Sequence, residues 1–145
     1  MRIGFYLSGN QPVERVLPLI AKAAMGRGQR LLVVAGEAQM RDNLDQALWE
    51  AFPAQFLAHG AAGGAHDARQ PVLLSDHCDA PNGATVVALA DGQWREEAAK
   101  FERALLFFDD AGRAQARETW RLFDKREGIQ REFHELEEGK WVQRS

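Results

Sequence analysis

Residues 31–35 read Leu-Leu-Val-Val-Ala, an unbroken apolar run. Successive side chains of a strand point to opposite sides, so a strand built from these residues has no polar face and is covered on both. From Glu37 to Ala51 the pattern changes to helical period, with Met40, Leu44, Ala47 and Leu48 recurring on one face. The same succession precedes it. Arg2 to Ser8 carries Ile3, Phe5, Tyr6 and Leu7 and stops at Gly9-Asn10, and Pro12 to Met25 places Val13, Val16, Leu17, Ile20, Ala23 and Ala24 at helical spacing. Strand, helix, strand, helix implies a parallel sheet with helices packed on it.

Asn10 is expected to cap the first helix and Gly26 or Gly28 to end it, while Pro18 predicts a kink or a late start. Phe56-Leu57 begins a third short strand, and Gly60 to Gln70 is a Gly- and Ala-rich exposed loop. Val72 to Leu74 and Thr85 to Leu89 are further strands, and the turn-prone Asp79 to Gly83 between them allows the sheet to become mixed there. Asp91 is expected to cap a short helix reaching about Phe101. Ala104 to Phe108 is a last buried strand, and Asp109-Asp110 can cap a long helix after it. Residues 129–145 form a charged C-terminal extension whose Phe133, Leu136, Trp141 and Val142 can pack back as a strand or short helix, with part of it mobile. The expectation is a single domain over residues 1–145, a three-layer α/β/α arrangement around a mostly parallel central sheet.

Hydrophobic residues make up 46% of the chain and the net charge is −3. That composition folds, and its acidity argues against broad electrostatic binding to DNA or anionic membrane. A lone cysteine, Cys78, excludes an internal disulfide; no membrane span or signal peptide is apparent, and a cytoplasmic location is expected.

Catalytic signatures are sparse. The first strand runs into Ser8-Gly9-Asn10-Gln11-Pro12, which is neither a dinucleotide fingerprint nor a P-loop. His59, His66, His77 and Cys78 match no compact zinc spacing, and Ser8 and Ser75 lack a nucleophile elbow. No cofactor or metal is assigned. Asp109 and Asp110, at a strand end, keep open an alternative: an α/β enzyme, or a metal- or nucleotide-binding protein, that uses strand-end carboxylates. Helix capping is the competing role for them.

Beyond them lies a basic stripe. Arg113, Arg117, Trp120 and Arg121 project together over roughly 100° of a helical wheel, with Ala116, Leu122 and Phe123 to one side. Such a strip, at the border of an apolar face, suits a ligand that is part anionic and part hydrophobic. It equally suits a solvated face with Trp120 in the core, and packing is also the default role for Trp49. Direct single-stranded DNA binding through these arginines is a further reading that the acidic balance disfavours.

The order of segments carries a resemblance. Phe5-Tyr6-Leu7 is followed by Leu44-Asp45-Gln46-Ala47-Leu48-Trp49 and Phe56-x-x-His59, then by Pro71-Val72, Phe107-Phe108-Asp109 and Ala116-Arg117-Glu118-x-Trp120-Arg121-x-Phe123. From Ile3 to Phe123 this resembles the chi subunit of bacterial DNA polymerase III, whereas the Glu-rich segment after Gly128 departs from it. The resemblance implies a Rossmann-like α/β domain without a nucleotide site. It also implies a non-catalytic adaptor that joins the clamp-loader complex to the acidic C-terminal tail of single-stranded DNA-binding protein (SSB), with a psi subunit as second partner in many bacteria. By position, Arg117, Trp120 and Arg121 match the family's tail site, with Arg113 a turn earlier as a fourth member and Trp49 lining the slot; Phe56 and His59 fall on a psi-facing surface.

Overall fold

The computed structural model describes residues 1–51, 59–64 and 67–145. In chain order its elements are β1 (Arg2–Leu7), α1 (Val13–Gly26), β2 (Leu31–Val34), α2 (Ala38–Ala51), β3 (His59–Ala61), β4 (Val72–Ser75), β5 (Val86–Leu89), β6 (Arg103–Phe108), α3 (Arg113–Leu122), β7 (Gln130–Glu137) and β8 (Lys140–Gln143). The strands form one sheet in the order β3-β4-β2-β5-β6-β1-β7-β8, parallel throughout except for the β7–β8 hairpin. The apolar run of residues 31–35 lies in the interior of this sheet and divides by alternation. Leu31 and Val33 face α1 and α2, together with Val16, Leu17, Leu44 and Leu48. Leu32 and Val34 face the other layer, where Ala116 and Phe123 of the α3 region, Ala98, Phe101 and Cys78 are buried. The result is the expected three layers.

Several local expectations are revised. α1 starts at Val13 behind Pro12, with no side-chain cap from Asn10, and runs on through Pro18. Pro18 lies past the first turn, so its missing N–H forfeits one bond inside the helix. The C-terminus follows the sequence signal: Gly28 takes φ 71°, and the Gly28 and Gln29 amides donate to the Met25 and Ala24 carbonyls at 3.0 and 2.9 Å, a Schellman closure. Gly60 and Ala61 belong to β3 rather than to a loop, with a short 3₁₀ turn at Asp67–Arg69; Phe56-Leu57 lies outside the described residues.

The sheet does not become mixed around β4 and β5, since both pair parallel with β2. Two parallel partners of one strand require the chain to recross a sheet face between them, and the connecting segment does so with Cys78 buried against the α3 layer. Asn82 fixes that crossing. Its buried amide donates to the Leu31 and Gln70 carbonyls at 3.3 and 3.0 Å, and its oxygen accepts from the Ala84 amide.

Asp91 does not cap the short helix before Phe101. That segment is a 3₁₀ helix over Glu96–Lys100 entered through Arg95, while the Asp91 carboxylate accepts from the Gly36 and Gln93 amides and from Arg95. The C-terminal extension is part of the sheet. β7 pairs in register with β1, from Arg2 opposite Gln130 to Leu7 opposite Glu135. Glu138 and Gly139, with φ 50° and 78°, turn the chain into β8; two positive-φ residues give the hairpin turn whose twist matches that of the strands.

Candidate functional site

Three adjacent strands direct phenylalanines toward α3. Phe5 of β1 stands opposite Phe133 of β7, and Phe108 at the end of β6 stands opposite Leu7. Ala116 packs onto this face, and its small side chain leaves room between helix and sheet. The resulting cleft has a volume of about 340 Å³, with Phe5, Phe108, Phe133 and Trp120 forming its apolar walls and Arg113, Arg117 and Arg121 its basic rim. The structure thus brings the four stripe residues of α3 together around one cavity.

Trp120 is half-buried and held from both sides. Its ring lies 5.0 Å from that of Phe5, and the Arg131 guanidinium sits 4.8 Å from its centroid. Arg131 is itself fixed, since its Nη1 donates to the Trp120 carbonyl at 2.6 Å and to Asp124 at 2.7 Å. A cation over an indole face is attracted by the ring quadrupole and orients it. The indole is therefore set in place before any ligand arrives.

The arginines differ. Arg113 pairs with Asp110 at 3.0 Å. Among the described residues, Arg117 and Arg121 have neither an ion-pair nor a hydrogen-bond partner, and both are exposed. Guanidinium groups without internal acids at the mouth of an apolar cleft supply planar donor forks for a carboxylate.

Trp49 does not join them. It lies on α2, which packs its Leu44 and Leu48 on the opposite face of the sheet from α3. There it is 52% exposed, with its ring 4.9 Å from that of His59. His59 is buried on β3 at the sheet edge, its Nε2 2.9 Å from Asp45. Phe56 and His66 lie outside the described residues.

Asp109 caps the turn ahead of α3 through the Gly112 amide at 3.1 Å, whereas Asp110 serves Arg113. Among the described residues no group of three His, Cys, Asp or Glu side chains is placed to hold a metal ion. A larger crevice, about 690 Å³, opens at the carboxyl ends of the strands, where open α/β sheets take nucleotides. Its rim carries Glu14, Glu37, Asp91 and Asp109 against Arg95 alone, a charge balance that opposes phosphate. Burial alone would raise the Asp91 carboxyl, but the Arg95 guanidinium and the Gly36 and Gln93 amides outweigh it and hold it below the usual carboxylate range.

Phe5, Phe108, Phe133 and Arg131 are functional candidates absent from the helical stripe. The sequence signal for the last two is period-2 alternation in the tail: Arg131 and Phe133 stand opposite Ile3 and Phe5, so they share the face that looks toward α3.

The comparison with known families decides what kind of protein carries this cleft: the family model for the DNA polymerase III chi subunit, HolC, matches residues 1–130. The chain belongs to the chi-subunit family. A search of curated proteins returns no match. Membership makes this an accessory subunit of a DNA-replication polymerase. Among the described residues no helix is long and apolar enough to cross a membrane. The chi match ends just as β7 begins, so Phe133, which lines the cleft, and Arg131, which holds Trp120, lie beyond it.

Proposed function

We propose that this chi-family protein is a non-catalytic adaptor whose α3 cleft binds the acidic C-terminal tail of SSB, linking it to the clamp-loader complex in the cytoplasm. The observation that carries this reading is the pairing of an apolar cleft with two arginines that have no internal acid. A tail ending in aspartates and a phenylalanine with a free carboxylate needs both features. Its ring enters between Phe5, Phe133 and Trp120, and its carboxylate meets Arg117. Arg121 and Arg113 attract the preceding aspartates. DNA is reached only through SSB. A psi subunit, where one exists, docks at the other end of the sheet near β3, where buried His59 supports the exposed Trp49.

Calorimetry with a tail peptide tests the reading. Saturable binding with Kd on the order of micromolar is expected, with loss on deleting the terminal phenylalanine. Absence of saturable heat from the intact peptide at low salt would end it.

A further inference from the structure

A peptide with its terminal ring and carboxylate seated in the α3 cleft has three ways out, and the charges along them differ. β6 ends at Phe108 and β7 starts at Gln130 beside Arg2, so α3 between them runs antiparallel to the strands. Arg113 therefore lies at the carboxyl end of the strands, and Arg121 roughly 12 Å nearer their amino end.

The first way crosses Phe108, which walls both the cleft and the crevice at the strand ends. Beyond it Glu14, Glu37, Asp91 and Asp109 face Arg95, whose guanidinium is already bonded to Asp91. Arg113, on the near side, is held by Asp110 at 3.0 Å. An acidic chain is repelled there. The second way crosses Phe133 onto the β7–β8 hairpin. Glu135 and Glu137 follow Phe133 at alternate positions and share its face. Arg144 is divided between these two carboxylates, and Lys140 stands opposite Glu137. The cations of the hairpin are matched before a ligand arrives.

The third way passes over Trp120 to the end of α3. Arg121 and Lys125 are exposed there, and among the described residues neither has an ion-pair partner. Lys125 sits in the tight turn after the helix, where the Asp124 amide donates to the Arg121 carbonyl at 3.1 Å. The same turn is pinned beside the indole, because the Asp124 carboxylate takes the guanidinium of Arg131 that covers Trp120. Asp124 is thereby engaged. Glu118 lines a groove on the other flank of α3 with Gln93 and Trp94, which leaves Glu127 as the exposed acid at this end.

We propose that the acidic tail leaves the cleft in this third direction, with the aspartates nearest its terminal phenylalanine on Arg121 and the earlier ones on Lys125. The inference rests on tail binding by the cleft and adds its polarity, together with a contact outside the helical stripe. The crevice and hairpin acids close the other two directions, and Arg113 acts on the tail at longer range. The spacing fits. An extended chain advances about 3.3 Å per residue against about 5.4 Å per helical turn, so side chains two apart on one face of the peptide keep step with Arg117, Arg121 and Lys125.

A tail peptide carrying a nitroxide at its amino end, added to the ¹⁵N-labelled full chain, reads the direction. At saturation the label should broaden the amide signals of Asp124, Lys125 and Arg126 most strongly, and those of Gly36, Gly92 and Gly139 least. Lys125→Ala should weaken the peptide about threefold, and the loss should vanish against a peptide whose aspartates are replaced by asparagine. Lys140→Ala should leave both affinities unchanged. Broadening centred on Gly36 and Gly92, or on Gly139, overturns the direction while leaving tail binding in place. Wild-type affinity of Lys125→Ala for the acidic peptide overturns the contact. A peptide that never saturates the protein removes the tail reading itself, and the direction with it.

Discussion

Phe108 stands between two arginine sites that use the same chemistry in opposite ways. On one side, in the crevice at the strand ends, Arg95 makes two bonds to Asp91 at 3.0 and 2.8 Å, and the carboxylate takes two backbone amides besides. On the other, in the α3 cleft, Arg117 and Arg121 meet no acid of the described chain. Folding completes the first site and leaves the second unfinished. An internally matched charge reports on stability, whereas an unmatched one beside an apolar cleft reports on a partner, because only an outside group can neutralise it.

The largest effect expected from breaking this contrast is on binding. Arg117→Ala should weaken SSB-tail binding by about 2–3 kcal/mol, the scale of an interface anchor, and leave the melting temperature unchanged within error. Calorimetry and thermal denaturation of one preparation separate the two quantities. A fall in stability comparable to the loss in binding would mean that Arg117 is structural and that the contrast is false.

Asp91 and Arg95 should show the reverse. Both side chains are about four-fifths shielded, so Asp91→Asn is expected to cost about 2 kcal/mol at neutral pH, with tail binding untouched. Because the folded state holds the Asp91 carboxyl below its ordinary value, this contribution is fully present above the unfolded pKa near 4. It is lost as pH falls through the lower folded value. Denaturant titrations should therefore show wild type and variant converging below about pH 4. A gap that holds constant into acid would show that Asp91 is not the group responsible.

How much of this was legible in the sequence differs between these regions for a physical reason. The interior strands β2, β5 and β6 are apolar on both faces, and burial of that kind leaves an unmistakable run. The α3 stripe was readable because a helix brings residues three and four apart together without help from the fold. The sequence of β7 does not announce its place in the sheet. Its Gln-Arg-Glu-Phe-His-Glu-Leu-Glu is half-buried along most of its length, and its place rests on backbone pairing with β1, which any side chain permits. The cleft walls are hidden in the sequence for the same reason, since Phe5, Phe108 and Phe133 converge only through sheet register. Segment order points Trp49 to the slot, but order along the chain cannot tell one face of a sheet from the other. Asp91 read as a cap because Asp is a common one; its actual partners, Gly36 and Arg95, come from a neighbouring strand end and the following loop.

Arg131 offers the smallest and most discriminating test, because it holds the cleft's Trp120 yet is internally satisfied like Arg95. It does not reach for the ligand, and its guanidinium covers one face of Trp120 while bonding the Trp120 carbonyl and Asp124. Arg131→Met keeps much of the aliphatic cover and removes the charge and donors, so stability should fall by about 1 kcal/mol. Tail binding should weaken several-fold, because the indole is no longer held ready and ordering it then opposes association. The salt dependence of binding should stay that of wild type, because the charges facing the ligand are those of Arg113, Arg117 and Arg121. A flattened salt dependence in Arg131→Met would instead make Arg131 a direct contact of the acidic tail, and would move the boundary between the matched and unmatched arginines into the C-terminal strand.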